Sequence, residues 1–183
     1  MDRNTTYQHW RVVATLCGYT IPEKMERPVY VGDKKCPENL NTLTIGQLIE
    51  LGQVDGADAD YRIAEIVLGY DKPTTDKCRA VEVVPFLSWV GSEVKKINRL
   101  FETISHKPTA KERQAGVDKL QFGLFGMLDW FAKRMGITNH DDVLCVPWLR
   151  IYKCMDMDNQ TQQYQQRLND ISMREATRKR TRK

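Results

Sequence analysis

Apolar residues recur along most of the chain at helical spacing, and this pattern predicts a mainly α fold. The clearest case is residues 90–104, where charged and polar side chains fill the positions between regularly spaced apolar ones: Val90, Val94, Ile97, Phe101 and Ile104. Steps of three and four residues place these side chains on one helical face. We therefore expect an amphipathic helix over residues 90–104, packed on a core.

The most apolar continuous segment, residues 111–135, predicts the central helix of the fold. Its large apolar residues occupy more than one helical face: Leu120, Phe122, Leu124, Phe125, Met127, Leu128, Trp130 and Phe131. Such a helix must be covered on several sides, here by residues 90–104 and by a helix that begins near Trp148. The alternative is that Phe125 or Trp130 is buried only by a partner subunit. Glycines 116, 123 and 126 indicate close helix packing or a kink.

Shorter apolar patterns predict the remaining elements. A helix over residues 5–20 ends near Gly18, although a strand stays open as an alternative. Helices are also expected over residues 45–54, capped by Thr42 or Thr44, and over residues 61–68, capped by Asp58 and ended by Gly69. Residues 22–41 and 70–77 are interpreted as loops, the first with a short strand at residues 28–33.

Two prolines divide the remaining pattern. Residues 81–89 are apolar and β-branched at first, and Pro85 interrupts them. Pro147 is suited to the first turn of a helix that presents Trp148, Ile151, Tyr152 and Met155. This helix resumes through Tyr164, Leu168 and Ile171 after a polar run. Thr109 and Glu112 form a candidate capping box at the start of the helix predicted over residues 111–135.

These patterns predict a single helical-bundle-like domain over residues 1–173, with a loop-rich N-terminal segment and a basic tail over residues 174–183. A chain of 183 residues is long enough to bury a core without disulfides or metals. The pattern leaves open whether residues 1–40 form an interaction arm.

Charge is concentrated at the C-terminus. Residues 174–183 carry one glutamate and six basic residues, a net charge of +5, so the rest of the chain carries −1 of the total of +4. The basic residues are Arg174, Arg178, Lys179, Arg180, Arg182 and Lys183. They are the candidate site for contact with nucleic acid phosphates, an acidic groove on a protein, or an anionic lipid surface. A solvated, solubilising end is the alternative.

The sequence offers no motif for catalysis, a cofactor or a metal. Asp55, Asp58 and Asp60 lie in a glycine-containing turn but lack the offsets of a calcium loop, so helix capping explains them better. His140, Asp141, Asp142, Cys145 and Cys154 lack the paired short spacings of zinc sites. The five scattered cysteines suit a reducing compartment, and the sequence shows neither a secretory signal nor an apolar run of membrane-spanning length. We expect a soluble, non-enzymatic protein made inside a cell.

Three stretches resemble the small α-helical morphogenesis proteins of tailed bacteriophages, which include tail-assembly-chaperone-like, neck and virion components. They are residues 43–48 (LTIGQL), the acidic turn before residues 61–68, and residues 115–136 (starting AGV) followed by residues 143–148 (VLCVPW). The likeness covers residues 41–170 in order and hydrophobic rhythm.

The resemblance implies a structural or assembly protein that binds other phage structural proteins. It further implies self-association into several copies and a location in the virion or the host cytoplasm. The tail would either insert into a groove of a neighbouring protein or contact packaged DNA. The alternative class is a nucleic-acid-binding accessory protein that uses its basic tail, although the near-neutral body opposes this.

Overall fold

The computed structural model describes residue 2 and residues 4–105, 108–120 and 122–181, with backbone alone for residues 118 and 179–181. As the sequence predicts, this described chain is mainly α-helical, and its sheet is a two-stranded hairpin. In chain order, the elements are α1 Tyr7–Cys17, β1 Tyr30–Val31, β2 Lys34–Lys35, α2 Ile45–Gln53, α3 Ala59–Leu68, α4 Lys72–Lys77, α5 Ala80–Ile104, α6 Ala110–Gln114, a 3₁₀ turn Val117–Lys119, α7 Gly123–Met135, α8 His140–Leu144 and α9 Trp148–Thr181.

Helix α5 is the centre of the fold. It contacts α1, α2, α3, α9 and β1, and it buries Val83, Phe86 and Val90 almost completely. The amphipathic helix predicted over residues 90–104 is confirmed, but α5 begins ten residues earlier and passes through Pro85. The expected interruption at Pro85 is therefore wrong.

The predicted central helix over residues 111–135 is wrong. The chain forms α6, the 3₁₀ turn and α7 instead, and it breaks where Gly116 and Gly123 adopt φ angles of 89° and 51°. This left-handed region favours glycine and ends regular helix. In α7, Leu128, Phe131 and Ala132 still reach the core. The capping box of Thr109 and Glu112 is confirmed at the start of α6.

The N-terminal forty residues contribute to the same core. Helix α1 is confirmed and ends at Gly18, and β1 lies inside the strand predicted at residues 28–33. Strand β1 pairs antiparallel with β2, in the register Tyr30 with Lys35. Tyr7, Val31, Cys36 and Leu40 are each at most 2% exposed.

The predicted helices over residues 45–54 and 61–68 are present as α2 and α3. Thr44 and Gln47 form a capping box before α2, and α3 ends at Gly69. Asp58 occupies the predicted N-cap position of α3, but its carboxylate accepts a hydrogen bond from Lys72 Nζ at 3.0 Å and makes no capping bond to the helix. The loop predicted over residues 70–77 is wrong. Asp71 caps the short helix α4, whose first turn accepts Pro73.

The root of α9 is bonded to residues 40–45, far away in sequence. The Trp148 side chain donates from Nε1 to the Leu40 carbonyl at 2.8 Å, and the Trp148 backbone N–H donates to Leu43 at 3.1 Å. The Ile45 N–H donates to the Val146 carbonyl at 2.8 Å. We call this set of bonds the α9 joint. It fixes the direction in which α9 leaves the body.

Candidate interaction surfaces

The most prominent surface belongs to α9, which has 34 residues and is about 50 Å long at 1.5 Å per residue. Trp148 and Ile151 are buried at its root, and partial burial continues to Asn159. Every described side chain over residues 160–178 is exposed. We call residues 160–181 the distal helix, because it projects from the body.

The structure changes the interpretation of the predicted basic tail. Residues 174–181 continue α9 as regular helix, with Arg174 and Arg178 exposed. Lys179 and Arg180 lie in the same helix, with only their backbone described. Arg182 and Lys183 lie outside the described residues. The sequence signal for this helix was the absence of glycine and proline from residues 148–183, because these two residues most often end a helix.

Apolar side chains form a line along α9 beyond its buried root. Met157, Tyr164, Leu168 and Ile171 are 43–60% exposed, and they follow one another by seven, four and three residues. This spacing keeps them on one side of a helix. We call these four residues the α9 stripe. Met173, 72% exposed, lies outside it.

A second apolar surface lies where α7 begins. Leu120, Phe122, Leu124 and Phe125 are 42–66% exposed, and we call them the apolar turn. The prediction that residues 111–135 would be buried on several faces fails here, because the breaks at the two glycines turn the segment outward. The Phe125 ring stacks on the His140 ring at 5.1 Å. Clustered exposed apolar side chains mark candidate protein contacts.

A groove of about 420 Å³ lies beside α1 and is lined by residues of α1, α3 and α5, among others. Tyr7, Trp10, Asp60 and Ser88 are among its lining residues. The outer face of α1 is also apolar, with Val12 and Leu16 exposed. Within the described residues, the Ser88 hydroxyl is the buried side-chain polar atom that has no hydrogen-bond partner.

Tyr7, Arg11 and Asp60, which line this groove, are bound to one another. The Tyr7 hydroxyl donates to Asp60 at 2.5 Å, and Arg11 Nε lies 2.8 Å from the same carboxylate. Burial, followed by the bond to Asp60, raises the pKa of Tyr7 above its usual value. The Arg11 guanidinium also lies over the Tyr61 ring at 4.5 Å. These contacts hold α1 against α3, which is a structural role.

Asp58 and His140, two of the other candidates, are likewise engaged in local contacts. The Lys72 ammonium, through a hydrogen bond and its charge, lowers the pKa of Asp58. His140 Nε2 lies 3.4 Å from Asp129, and Asn139 caps α8 at the Asp141 N–H. Across the described ranges, three or more His, Cys, Asp or Glu side chains never gather into a group that could hold a metal ion.

Two further findings bear on function. In the part of the chain that the structure describes, no helix combines the length and apolar composition needed to cross a bilayer. In comparisons with known proteins, no family model, curated protein or solved structure matches this chain.

Proposed function

We propose that this chain is a non-enzymatic structural or assembly protein of a tailed bacteriophage virion. It binds other virion proteins through its helical body and its C-terminal helix, in the virion or the host cytoplasm. The observation that carries this proposal is the distal helix, which projects from a folded body with every described side chain over residues 160–178 exposed. A helix of this length whose side chains do not pack on the body of the same chain is suited to contact with another protein.

The apolar surfaces support a protein partner. The α9 stripe and the apolar turn expose large aliphatic and aromatic side chains, which are the residue types that bury well in protein interfaces. The groove beside α1 supports catalysis less well, since its charged groups pair with each other. The phage assignment itself rests on the resemblance of residues 41–170.

The proposal is tested in particles of the source phage. We expect mass spectrometry to find the chain in purified virions or in assembly intermediates, together with identified virion proteins. Replacing Phe122 and Phe125 with Gln should weaken co-purification with those proteins, because it removes exposed apolar area. Replacing Leu100, which is exposed but lies outside the apolar turn, with Gln is the matched control. Absence of the chain from both virions and intermediates would overturn the proposal.

A second candidate is a nucleic-acid-binding accessory role, favoured by the exposure of Arg174 and Arg178 on the distal helix. If all six basic residues contact phosphates, the logarithm of DNA affinity should fall against the logarithm of salt with a slope of about −5. Replacing Arg174 and Arg178 with Gln should reduce that slope by about 2. A slope that does not change would exclude this role.

A further inference from the structure

The groove beside α1 has the size and composition of a small-molecule site. Its volume of about 420 Å³ falls within the range of pockets that hold such ligands, roughly 300–1,000 Å³. Helices α1, α3 and α5 supply three of its walls, and residues 19–23 supply another. Most of the lining side chains are apolar or aromatic, among them Trp10, Tyr19, Ile63 and Leu87. Such a lining favours a ligand that is itself largely apolar.

The walls of the groove are tied to one another. The Ser92 hydroxyl donates to the Glu23 carbonyl at 3.1 Å, and Lys95 Nζ donates to the Glu23 carboxylate at 3.2 Å, so residues 19–23 are attached to α5. The bonds of Tyr7 and Arg11 described above hold α1 against α3. The groove is therefore formed without a ligand, and binding there does not have to order its walls.

The Ser88 hydroxyl gives the groove an unused hydrogen-bonding group. Ser88 lines the groove and is 5% exposed, and its hydroxyl has no partner within the described residues. Other helical hydroxyls of this chain, such as those of Thr15 and Ser172, donate to the carbonyl four residues earlier. A buried hydroxyl without a partner is unfavourable, and such groups are rare in native proteins. A ligand that pairs with Ser88 removes this cost.

Gly91 keeps the α5 wall open beside Ser88. The two residues are three positions apart, which makes them neighbours on the helix surface. Gly91 also lines the groove, and a Cβ built on it meets nothing within 4 Å. A larger side chain at residue 91 would therefore enter the space that a ligand needs.

The charged groups of the groove are already paired. Arg11 Nε lies 2.8 Å from Asp60, and Lys95 Nζ lies 3.2 Å from Glu23. These four are the charged side chains among the described residues that line the groove. An ionic ligand would have to compete with one of these pairs for its countercharge, whereas an uncharged ligand leaves both pairs intact.

We propose that the groove binds a small, uncharged aromatic molecule whose polar group forms a hydrogen bond with the Ser88 hydroxyl. The rings of Trp10 and Tyr19, which line the groove, suit a planar ligand because aromatic rings stack on one another or meet edge to face. This binding site goes beyond the proposed assembly function and does not rest on it.

Titration of the full chain with phenol, toluene and benzoate, followed by NMR, tests the site. Phenol and toluene share a ring, but phenol alone carries a hydroxyl, and benzoate carries a charge. We expect phenol to shift the amide signals of Gly56, Ser88 and Gly91 with saturation, and benzoate to bind at least tenfold more weakly. Ser88→Ala should weaken phenol binding about five- to tenfold, because one hydrogen bond is lost, and should not weaken toluene binding.

Filling the groove provides the second variant. Gly91→Leu should abolish binding of both phenol and toluene. Gly52→Leu is the matched control, because Gly52 is also an exposed helical glycine whose built Cβ meets nothing within 4 Å, but it lies outside this groove. Circular dichroism reports that each variant stays folded.

Several results would overturn the inference. They are the absence of saturable phenol binding, phenol binding that survives Gly91→Leu, equal losses of phenol and toluene in Ser88→Ala, and benzoate binding as tight as that of phenol. Displacement of phenol by a co-purifying virion protein would also overturn it, because a side chain of that protein would then occupy the groove. Absence of the chain from virions and intermediates would overturn the phage function alone.

Discussion

Trp148 holds together parts of the chain that are distant in sequence. It is 1% exposed, it donates to the Leu40 carbonyl, and its ring lies 6.1 Å from Phe101 and 6.2 Å from Tyr152. Sequence spacing predicted that Trp148 would pack, since it lies with Ile151 on one helical face. The sequence could not reveal the bond to Leu40, because nothing local relates residues 108 positions apart.

Replacing Trp148 with Phe should lower the free energy of unfolding by about 1–3 kcal/mol, because a buried carbonyl loses its donor. The loss of side-chain volume adds to this cost. Urea denaturation measures the change. The half-buried Trp10→Phe is the control, and we expect it to cost less. Equal costs for the two variants would contradict the importance of the bond.

Tyr7 gives the body a dependence on alkaline pH. Because the pKa of Tyr7 is raised in the fold above the unfolded value of about 10, the folded state favours the neutral phenol. The stability from Tyr7 is therefore fully present below pH 10, and it is lost as the pH rises above 10. Sequence alone could not assign this role, since Asp60 is 53 residues away.

Replacing Tyr7 with Phe should lower the free energy of unfolding at pH 7 by about 1.5–3 kcal/mol, the usual contribution of a hydrogen bond to a charged group. The difference from the unmodified chain should shrink between pH 9 and pH 11. Denaturation at several pH values measures it. The exposed Tyr30→Phe should have little effect at either pH. A deficit that is constant with pH would contradict the linkage.

At the scale of elements, apolar periodicity predicted α5 over residues 90–104 but missed its first ten residues. Proline inside a helix costs about 3 kcal/mol, and this favoured a break at Pro85. Burying Val83, Phe86 and Val90 contributes about 1.5–3 kcal/mol each, which exceeds that cost. The prediction over residues 111–135 failed in the opposite way, because it assumed a longer helix than the structure contains. There apolar content favoured one long helix, and backbone conformation at Gly116 and Gly123 prevented it.

Replacing two of the glycines with alanine should therefore change the free energy of unfolding in opposite directions. Gly91 lies inside α5, and a Cβ built there meets nothing within 4 Å, so Gly91→Ala should raise the free energy of unfolding by about 0.5–1 kcal/mol. Gly116→Ala should lower it by about 1–2 kcal/mol, because its φ of 89° strains any other residue. Parallel urea titrations compare the two variants. Changes of the same sign would contradict the break at Gly116.

The distal helix should be dispensable for the fold of the body. Its described side chains over residues 160–178 are exposed, so deleting residues 160–183 removes helical signal without opening the core. We expect the thermal unfolding midpoint of the truncated chain, measured at low concentration, to stay within a few degrees of the full chain. A truncated chain that fails to fold would show that the distal helix contacts the body.

At the scale of the whole molecule, the sequence predicted the class of fold and the concentration of charge at the C-terminus. It did not predict that the charged end is helical, because residues 156–163 are polar apart from Met157 and so interrupt the apolar period. Nor could it predict which apolar residues stay exposed. Phe122 and Phe131 are equally apolar in sequence, yet Phe131 is 1% exposed and Phe122 is 66% exposed.

The α9 joint also sets the order in which the chain can fold. Its bond from Trp148 to Leu40 closes a loop of 108 residues, at an entropic cost of about 4 kcal/mol. This contact can form only after residue 148 has been synthesised, although Leu40 is made early. Contacts of such separation slow folding. During synthesis, the Leu40 carbonyl therefore lacks its Trp148 donor until residue 148 has been made.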